Sequence, residues 1–556
     1  MVRTSEESEP ILTMEEAVGA GLSRREFAGI ASSLGLVTMA GCMGDEDPDP
    51  GDVGDDDGVE PTEGGTLEVG IEVSLDSMDQ HLQTQITTVA VLSQMVENLF
   101  VVEHDYTVDG KLVENIDLED DGQRWVMDIR EGVEFHPPYQ KELTAEDIIY
   151  NLERVVDPDV GSFSRRPWII ESEFEQIDDY SIEMSWDETQ TSVDSWIAGF
   201  HGFGIMSPES IEEGDPSNHP VGTGPYVFEE WIPRDHITMS AFDDYWGDDY
   251  PHFDEITMRP IDEPATMITE LQEGSVDLLR QTPRENIPEL EQDDDVVVDI
   301  SEGFAYQTLD INPTTETEEG RVEEMPTVER EVRQAIAAAI DFEELVQICL
   351  SGYGVPTQNF FPEDSPWHVD YNPHPMEQDA ELAEQLIDDA GYDTPLEVNL
   401  ISTSEDPIYR ALGRTAQGQL NQAGFDVNLD EFEFAEWAGK LFAGEFDISV
   451  DGFPGAPDPE ALSGYFHIGQ DDPPLFNYEF EEADRVFDLW EQGRRTTDED
   501  ERQDIYRELQ ELIIDDPIRL VLWHRDIVNS YTTDVGGFEA HPWDMEFRAY
   551  EAYFGE

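Results

Sequence analysis

From Leu67 the chain alternates apolar and polar residues, Leu67-Glu68-Val69-Gly70-Ile71-Glu72-Val73, which predicts a half-buried strand. Val89 to Leu99 carries apolar residues at helical spacing and leads into Leu99-Phe100-Val101-Val102, the start of another strand; Arg124 to Arg130 reads as a third. Thr144 opens a helix with Ile148, Ile149, Leu152 and Val155 on its buried face. Its hydroxyl stands three residues before Asp147, a variant of the capping box. Gly222-Thr223-Gly224-Pro225-Tyr226 reads as a turn before a strand, and it is no phosphate loop, because no Lys-Ser/Thr follows. Arg333 to Ile340 predicts a helix, with Asp341 capping the next one. The second half then repeats itself. Met376 to Ala390 is helical, followed by Gly391 and the strand Leu396 to Leu400; Arg410 to Ala423 is helical, followed by Gly424 and the strand Val427 to Leu429. Two helix, glycine, strand units in succession predict a parallel α/β layer. Ile505, Leu509, Leu512 and Ile513 mark one more amphipathic helix, closed by Pro517.

The pattern fails at the front. Residues 43–64 hold almost nothing apolar and are rich in Asp, Gly and Pro, a composition that cannot bury a core and makes an extended, self-repelling tether. Before it, Phe27 to Gly41 is apolar but shorter than the ~20 residues of a spanning helix. Ser23-Arg24-Arg25-Glu26-Phe27 resembles the twin-arginine export motif, and Met39-Ala40-Gly41-Cys42 resembles a lipobox, with Met39 where Leu is commoner. The expected layout is an export signal over 1–41, a lipid on Cys42, a tether over 42–64 and a globular body. The lipid would hold that body at the outer face of the cytoplasmic membrane.

Charge changes the picture more than any motif. Among 556 residues, Asp and Glu number 131 against 28 Lys and Arg, a formal net charge of -103, and the carboxylates run through every element instead of forming a tail. Lys111, Lys141 and Lys440 are the only lysines. Such a chain repels itself in dilute buffer, whereas in molar salt the Debye length shrinks to about 3 Å and the repulsion is screened. The acidity therefore predicts life in brine and argues against a nucleic-acid partner, which would need basic patches. Two cysteines, Cys42 and Cys349, give no disulfide framework, and Cys349 sits in an apolar helical pattern that predicts burial. The 12 histidines include no HExxH and no tight pair beyond His368 and His374, and no CxxC accompanies them, so neither a metal site nor a cofactor is expected.

Six stretches in order, at 97–116, 130–155, 220–231, 330–356, 383–393 and 437–462, together resemble the extracellular solute-binding proteins of family 5. This is the oligopeptide, dipeptide and nickel class that serves ABC importers. The resemblance implies a two-lobe periplasmic-binding-protein-like α/β fold of type II, with an extra domain inserted in the first lobe. Carried onto this chain, the first lobe is 65–106, 220–303 and 521–556, the inserted domain 107–219 and the second lobe 304–520. It further implies a monomer that closes around its solute and docks on permease subunits.

Peptide-binding members carry Gly-Trp, then an Asp that pairs with the peptide amine, then Asp-Pro. Here the loop reads Asp451-Gly452-Phe453-Pro454-Gly455-Ala456-Pro457-Asp458-Pro459, with Gly455-Ala456 where that Asp belongs. Phe453 and Asp458 keep the flanks of the motif, and Asp451 is the candidate substitute. Trp437 matches a ligand-approaching tryptophan of the family, and Lys440, three residues on, shares its helix face. Tyr306 near the hinge, and Met78 and His81 after the first strand, complete the candidate ligand set. A chelated metal or an oligosaccharide on the same fold, a secreted hydrolase using two carboxylates, and a receptor that reports to a signalling partner are the alternatives. Transfer from molar salt to dilute buffer is expected to unfold the protein; an unchanged circular dichroism spectrum would remove the brine reading.

Overall fold

The computed structural model describes residues 61–83, 85–199, 202–247, 250–313, 325–462 and 482–555. Arg24, Arg25 and Cys42 lie outside them. Strand β1 (Thr66–Ile71) forms where the alternation begins, with Leu67, Val69 and Ile71 buried. Helix α1 covers only Ile86–Leu92. The helical spacing continues past it, but the backbone does not, because a tertiary contact takes the following carbonyls. The N–H groups of Gly224 and Tyr226 donate to the carbonyls of Met95 and Gln94 at 3.0 and 3.1 Å. A Cβ on Gly222 would stand 2.2 Å from the Met95 carbonyl oxygen, so the glycine-rich turn is there to let two backbones touch.

The next segment is a small unit of its own: β2 (Val113–Glu119), β3 (Arg124–Ile129), α2 (Ala145–Val156), β4 (Glu173–Asp178), β5 (Ser181–Ser185) and α3 (Val193–Gly199). Its antiparallel sheet runs β2-β3-β5-β4. The capping box at Thr144 is formed in both directions, and the Thr144 N–H donates to Asp147 at 3.0 Å. Ile148, Leu152 and Val155 are buried beneath it, as the spacing requires.

The chain returns as β6 (Tyr226–Ile232), β7 (His236–Ala241), β8 (Glu255–Pro260) and β9 (Leu278–Leu279), then enters the long strand β10 (Val296–Ile311). Helices α4 (Arg330–Ala338) and α5 (Phe342–Cys349) follow, with the Asp341 side chain capping α5. The repeated units are α6 (Ala380–Asp389) with β11 (Leu396–Thr403), and α7 (Pro407–Gln422) with β12 (Phe425–Phe432). Gly391 and Gly424 turn between helix and strand at φ 88° and 91°, and β11 pairs parallel with β12 from Leu396↔Phe425 to Thr403↔Phe432. Then come α8 (Phe434–Phe442), β13 (Ile448–Phe453), α9 (Ala483–Gly493), α10 (Glu499–Asp515) and β14 (Arg519–Thr532). Cys349 corrects one expectation. It sits at the end of α5, where it is half-buried, and burial pushes its thiol up to about 12.

One large sheet joins the two lobes, in the order β12-β11-β13-β10-β14-β9-β1-β8-β7-β6, with Gly354–Pro356 pairing beside β14, while the inserted unit keeps its own sheet. Strands β10 and β14 pair antiparallel through both halves, from Val296↔Thr532 to Asp310↔Arg519. Their register breaks between Glu302 and Tyr306, and a Cβ on Gly303 would lie 2.6 Å from the Arg525 carbonyl oxygen. This break divides the sheet into two lobes, each with its own apolar core. The sequence-stretch boundaries at 303/304 and 520/521 fall inside these two strands.

The acid-rich composition leaves few cations, and several are buried with carboxylate partners. Arg333 and Asp516, 2% and 1% exposed, form two bonds of 2.7 Å, and Arg333 also donates to the carbonyls of Thr327 and Val328. Arg333→Ala strands a buried carboxylate and is expected to cost about 3–5 kcal/mol, read as a lower denaturation midpoint in high salt.

Candidate ligand-binding cleft

Strand direction places the cleft. β1 and β9 run parallel to each other, β9 is antiparallel to β14, β14 to β10 and β10 to β13, and β13 is parallel to β11. The carboxyl ends of β1, β8 and β9 therefore point at the carboxyl ends of β11, β12 and β13 across the register break. Ligands of open α/β sheets bind outside such ends.

On the first-lobe rim, Glu72 follows β1 and Arg280 follows β9, and the two are hydrogen-bonded. Arg280 also holds Asp544 at 2.9 Å, and Arg525 reaches the same carboxylate at 2.8 Å. Burial alone would raise the Asp544 carboxyl, but Arg280 and then Arg525 overcome it and hold the group below the usual carboxylate range. Met78 and His81 are fully buried beneath this rim. Met78 packs in the first-lobe core, and His81 pairs its ring nitrogens with the Gly204 carbonyl at 3.0 Å and Arg154 at 2.7 Å. Burial first, then Arg154, pulls the His81 pKa down to about 4.

On the second-lobe rim, Phe453 ends β13 with its ring 5.6 Å from that of Tyr306, which meets Phe360 at 5.9 Å. Trp437 is buried in the same cluster, donates to the Ser449 hydroxyl at 3.2 Å and meets Tyr409 at 5.7 Å. Lys440 lies on the same helix but pairs with Glu445 at 3.2 Å. The departure at Gly455 has a steric cause. Its φ is 87°, and a Cβ there would lie 2.3 Å from the Phe304 Cβ and 2.5 Å from the Phe304 carbonyl oxygen. No aspartate fits that position. Asp451 faces the other way in charge terms: Arg519 joins it at 3.1 Å and clamps Asp310 at 2.6 Å. Burial, reinforced by Asp310 and opposed by Arg519, pushes the Asp451 carboxyl up to about 8. Asp458 is engaged as well, by two bonds of 2.6 and 2.8 Å from Arg502.

The inserted unit also reaches the second lobe. Trp196 of α3 packs against the second-lobe aromatic cluster, the Ser192 hydroxyl donates to Glu460, and Thr191 donates to the Arg494 carbonyl at 3.1 Å. A Cβ on Gly199 would come 2.9 Å from Pro457. Glu72, Arg280, Ser192, Trp196, Glu460 and Arg502 are missing from the sequence-derived set. Only Glu72, the first residue past an alternating strand, could have been found from pattern. Among the described residues no cluster of His, Cys, Asp and Glu could hold a metal ion, and no helix is long and apolar enough to cross a membrane.

The model of the bacterial extracellular solute-binding proteins, family 5 Middle, matches residues 107–472. The chain belongs to that family. It is a solute-binding protein of the kind that feeds an ABC importer from outside the cytoplasm, and its relatives are binding proteins. The glutathione-binding protein GsiB of Pectobacterium atrosepticum is 25% identical over 490 residues, covering 85% of this chain and 91% of the relative. NikA from Brucella suis in complex with Fe(III)-EDTA superposes with a TM-score of 0.77 at 20% identity, covering 88% of this chain and all of that one. DppA from Helicobacter pylori in complex with the peptide STSA gives 0.70 at 22%, covering 89% and 99%. These superpositions share the two-lobe, type II fold of the family 5 protein described above.

Because the family 5 loop is closed down on Phe304, Gly455→Ala overpacks the hinge. It is expected to lose about 1–3 kcal/mol, measured by thermal unfolding in molar salt; an unchanged melting temperature would show that the loop is free to move.

Proposed function

We propose that this chain is a monomeric, lipid-anchored receptor that captures a short peptide or peptide-like solute by closing its two lobes and hands it to the permease subunits of an ABC importer. The supporting observation is the convergence of strand ends beside an aromatic second-lobe cluster, Phe453, Tyr306, Phe360 and Trp437, which is buried in this structure. The rim suits peptide side chains and backbone packed against rings, with a few polar anchors. Relatives named for glutathione and for peptides point the same way. The anchor would be a lipid on Cys42, delivered after export under Arg24 and Arg25.

A chelated metal is less well served, because an anionic chelate needs cations. Between Arg414 and Arg485 the only Lys or Arg is Lys440, which Glu445 already holds. The blocked position at Gly455 adds a detail of specificity: no carboxylate of that loop is available for a free amino terminus.

Calorimetric titration in molar KCl with glutathione and with peptides of two to nine residues tests the reading. At least one peptide is expected to bind, and its N-acetylated form to bind within about twofold, since little of the affinity comes from an amine–carboxylate pair. Phe453→Ala is expected to weaken binding about tenfold. Silence toward every peptide, with binding of an oligosaccharide or a metal chelate, would overturn it.

A further inference from the structure

The inserted unit and the second lobe are far apart along the chain, yet a polar seam joins them across the mouth of the cleft. At its outer edge Glu188 accepts from Arg494 at 2.7 Å and from Arg495 at 2.9 Å. Both arginines also pair with Glu491, so this edge has two acids for two bases. Deeper in, the balance fails. Arg502 is stacked against Trp367 and Tyr506, both 4.9 Å away, and is neutralised by Asp458. That leaves Glu460, 5% exposed and bonded to Ser192, together with Asp194. Among the described residues no cation is bonded to either, and Arg502 and Arg494 act on Glu460 only from a distance, opposing the effect of its burial. The buried Tyr506 hydroxyl lies in the same cluster, in the field of Arg502, Glu460 and Asp458, and burial raises it.

We propose that this seam is a proton-coupled latch on lobe closure, with Glu460 its positioning residue: shutting the seam takes up a proton, and Glu188 grips Arg494 and Arg495 in either protonation state. When the lobes part, Glu460 and Asp194 return to water and to the ordinary carboxylate range near 4. When they meet, burial, reinforced by Asp458, raises Glu460 to about 7 and Asp194 to about 6. The closed state therefore binds more protons than the open one. Closure is strongest at acidic pH, weakens as pH rises through the interval between the open and closed values, and levels off above about 7. The latch deepens the reading of the protein as a receptor that works by closing, and rests on it, but it does not depend on which solute is bound.

The test uses the solute-free full chain in molar KCl, with small-angle X-ray scattering reading the closed fraction between pH 4.5 and 8. The closure constant is expected to fall by more than tenfold per pH unit around pH 5 to 6, where both carboxyls hold a proton only in the closed state, by about tenfold or less toward 7, and then to level off. Glu460→Gln keeps an acceptor for Ser192 and removes the proton, so its profile is expected to be much flatter, with more of the protein closed at pH 7. Glu188→Ala is expected to lower closure by the same factor at every pH. A wild-type profile flat between pH 5 and 7, or Glu460→Gln with the wild-type slope, would overturn the latch. Should circular dichroism show Glu460→Gln to be unfolded, Asp194→Asn is the second variant, with a reduced slope expected and an unchanged slope overturning the proposal. Peptide binding is measured separately, so failure of the peptide reading leaves this result standing.

Discussion

Everything in this structure depends on two strands that do not stop at the lobe boundary. β10 and β14 pair from one lobe into the other, and their register breaks at Glu302 to Tyr306, with a further shift at Gln307 to Thr308. Continuous backbone hydrogen bonding on either side makes each lobe rigid about its own core. The break, where Gly303 admits the Arg525 carbonyl, is where bending costs least. Because the strands of one lobe run toward β10's far end and those of the other run back, the carboxyl ends of both sets meet at the break. Hinge and cleft are thus consequences of the same pairing.

Charge is organised around that frame. A chain with 131 acidic and 28 basic residues has few cations, and buried carboxylates need them most. Arg333, Arg502 and Arg519 are each buried and each clamps an aspartate. Guanidinium suits this role because it donates in a fork that carboxylate geometry matches. Where a guanidinium serves two acids, as Arg519 does with Asp310 and Asp451, burial and the neighbouring carboxylate raise one of them, Asp451. At the seam Arg502 serves Asp458 within the second lobe, and the acid left over, Glu460, meets Ser192 of the inserted unit.

Much of the fold was legible in the chain. The capping box at Thr144, the cap at Asp341, and the paired units ending in Gly391 and Gly424 formed as read, because each rests on local backbone chemistry and period. The stretch after Leu92 went otherwise: its apolar spacing is helical, but the carbonyls of Gln94 and Met95 are taken by a turn more than a hundred residues away. The site was less legible. The tryptophan, phenylalanine and aspartates singled out along the chain do gather around β13, yet Asp451, Asp458 and Lys440 arrive already paired, and Met78 and His81 support the rim from beneath.

By itself the sequence determined the periods, caps and turns of most elements, the family-like order of motifs, and the charge that any fold of this chain must manage. These depend on neighbours within a few residues. Only the tertiary structure decided that Gly455 admits no side chain, that Glu72 meets Arg280, and that Ser192 meets Glu460 across the seam. Such facts belong to pairs separated by 151 to 268 positions, and no local pattern carries them because the contact exists only once both lobes are folded.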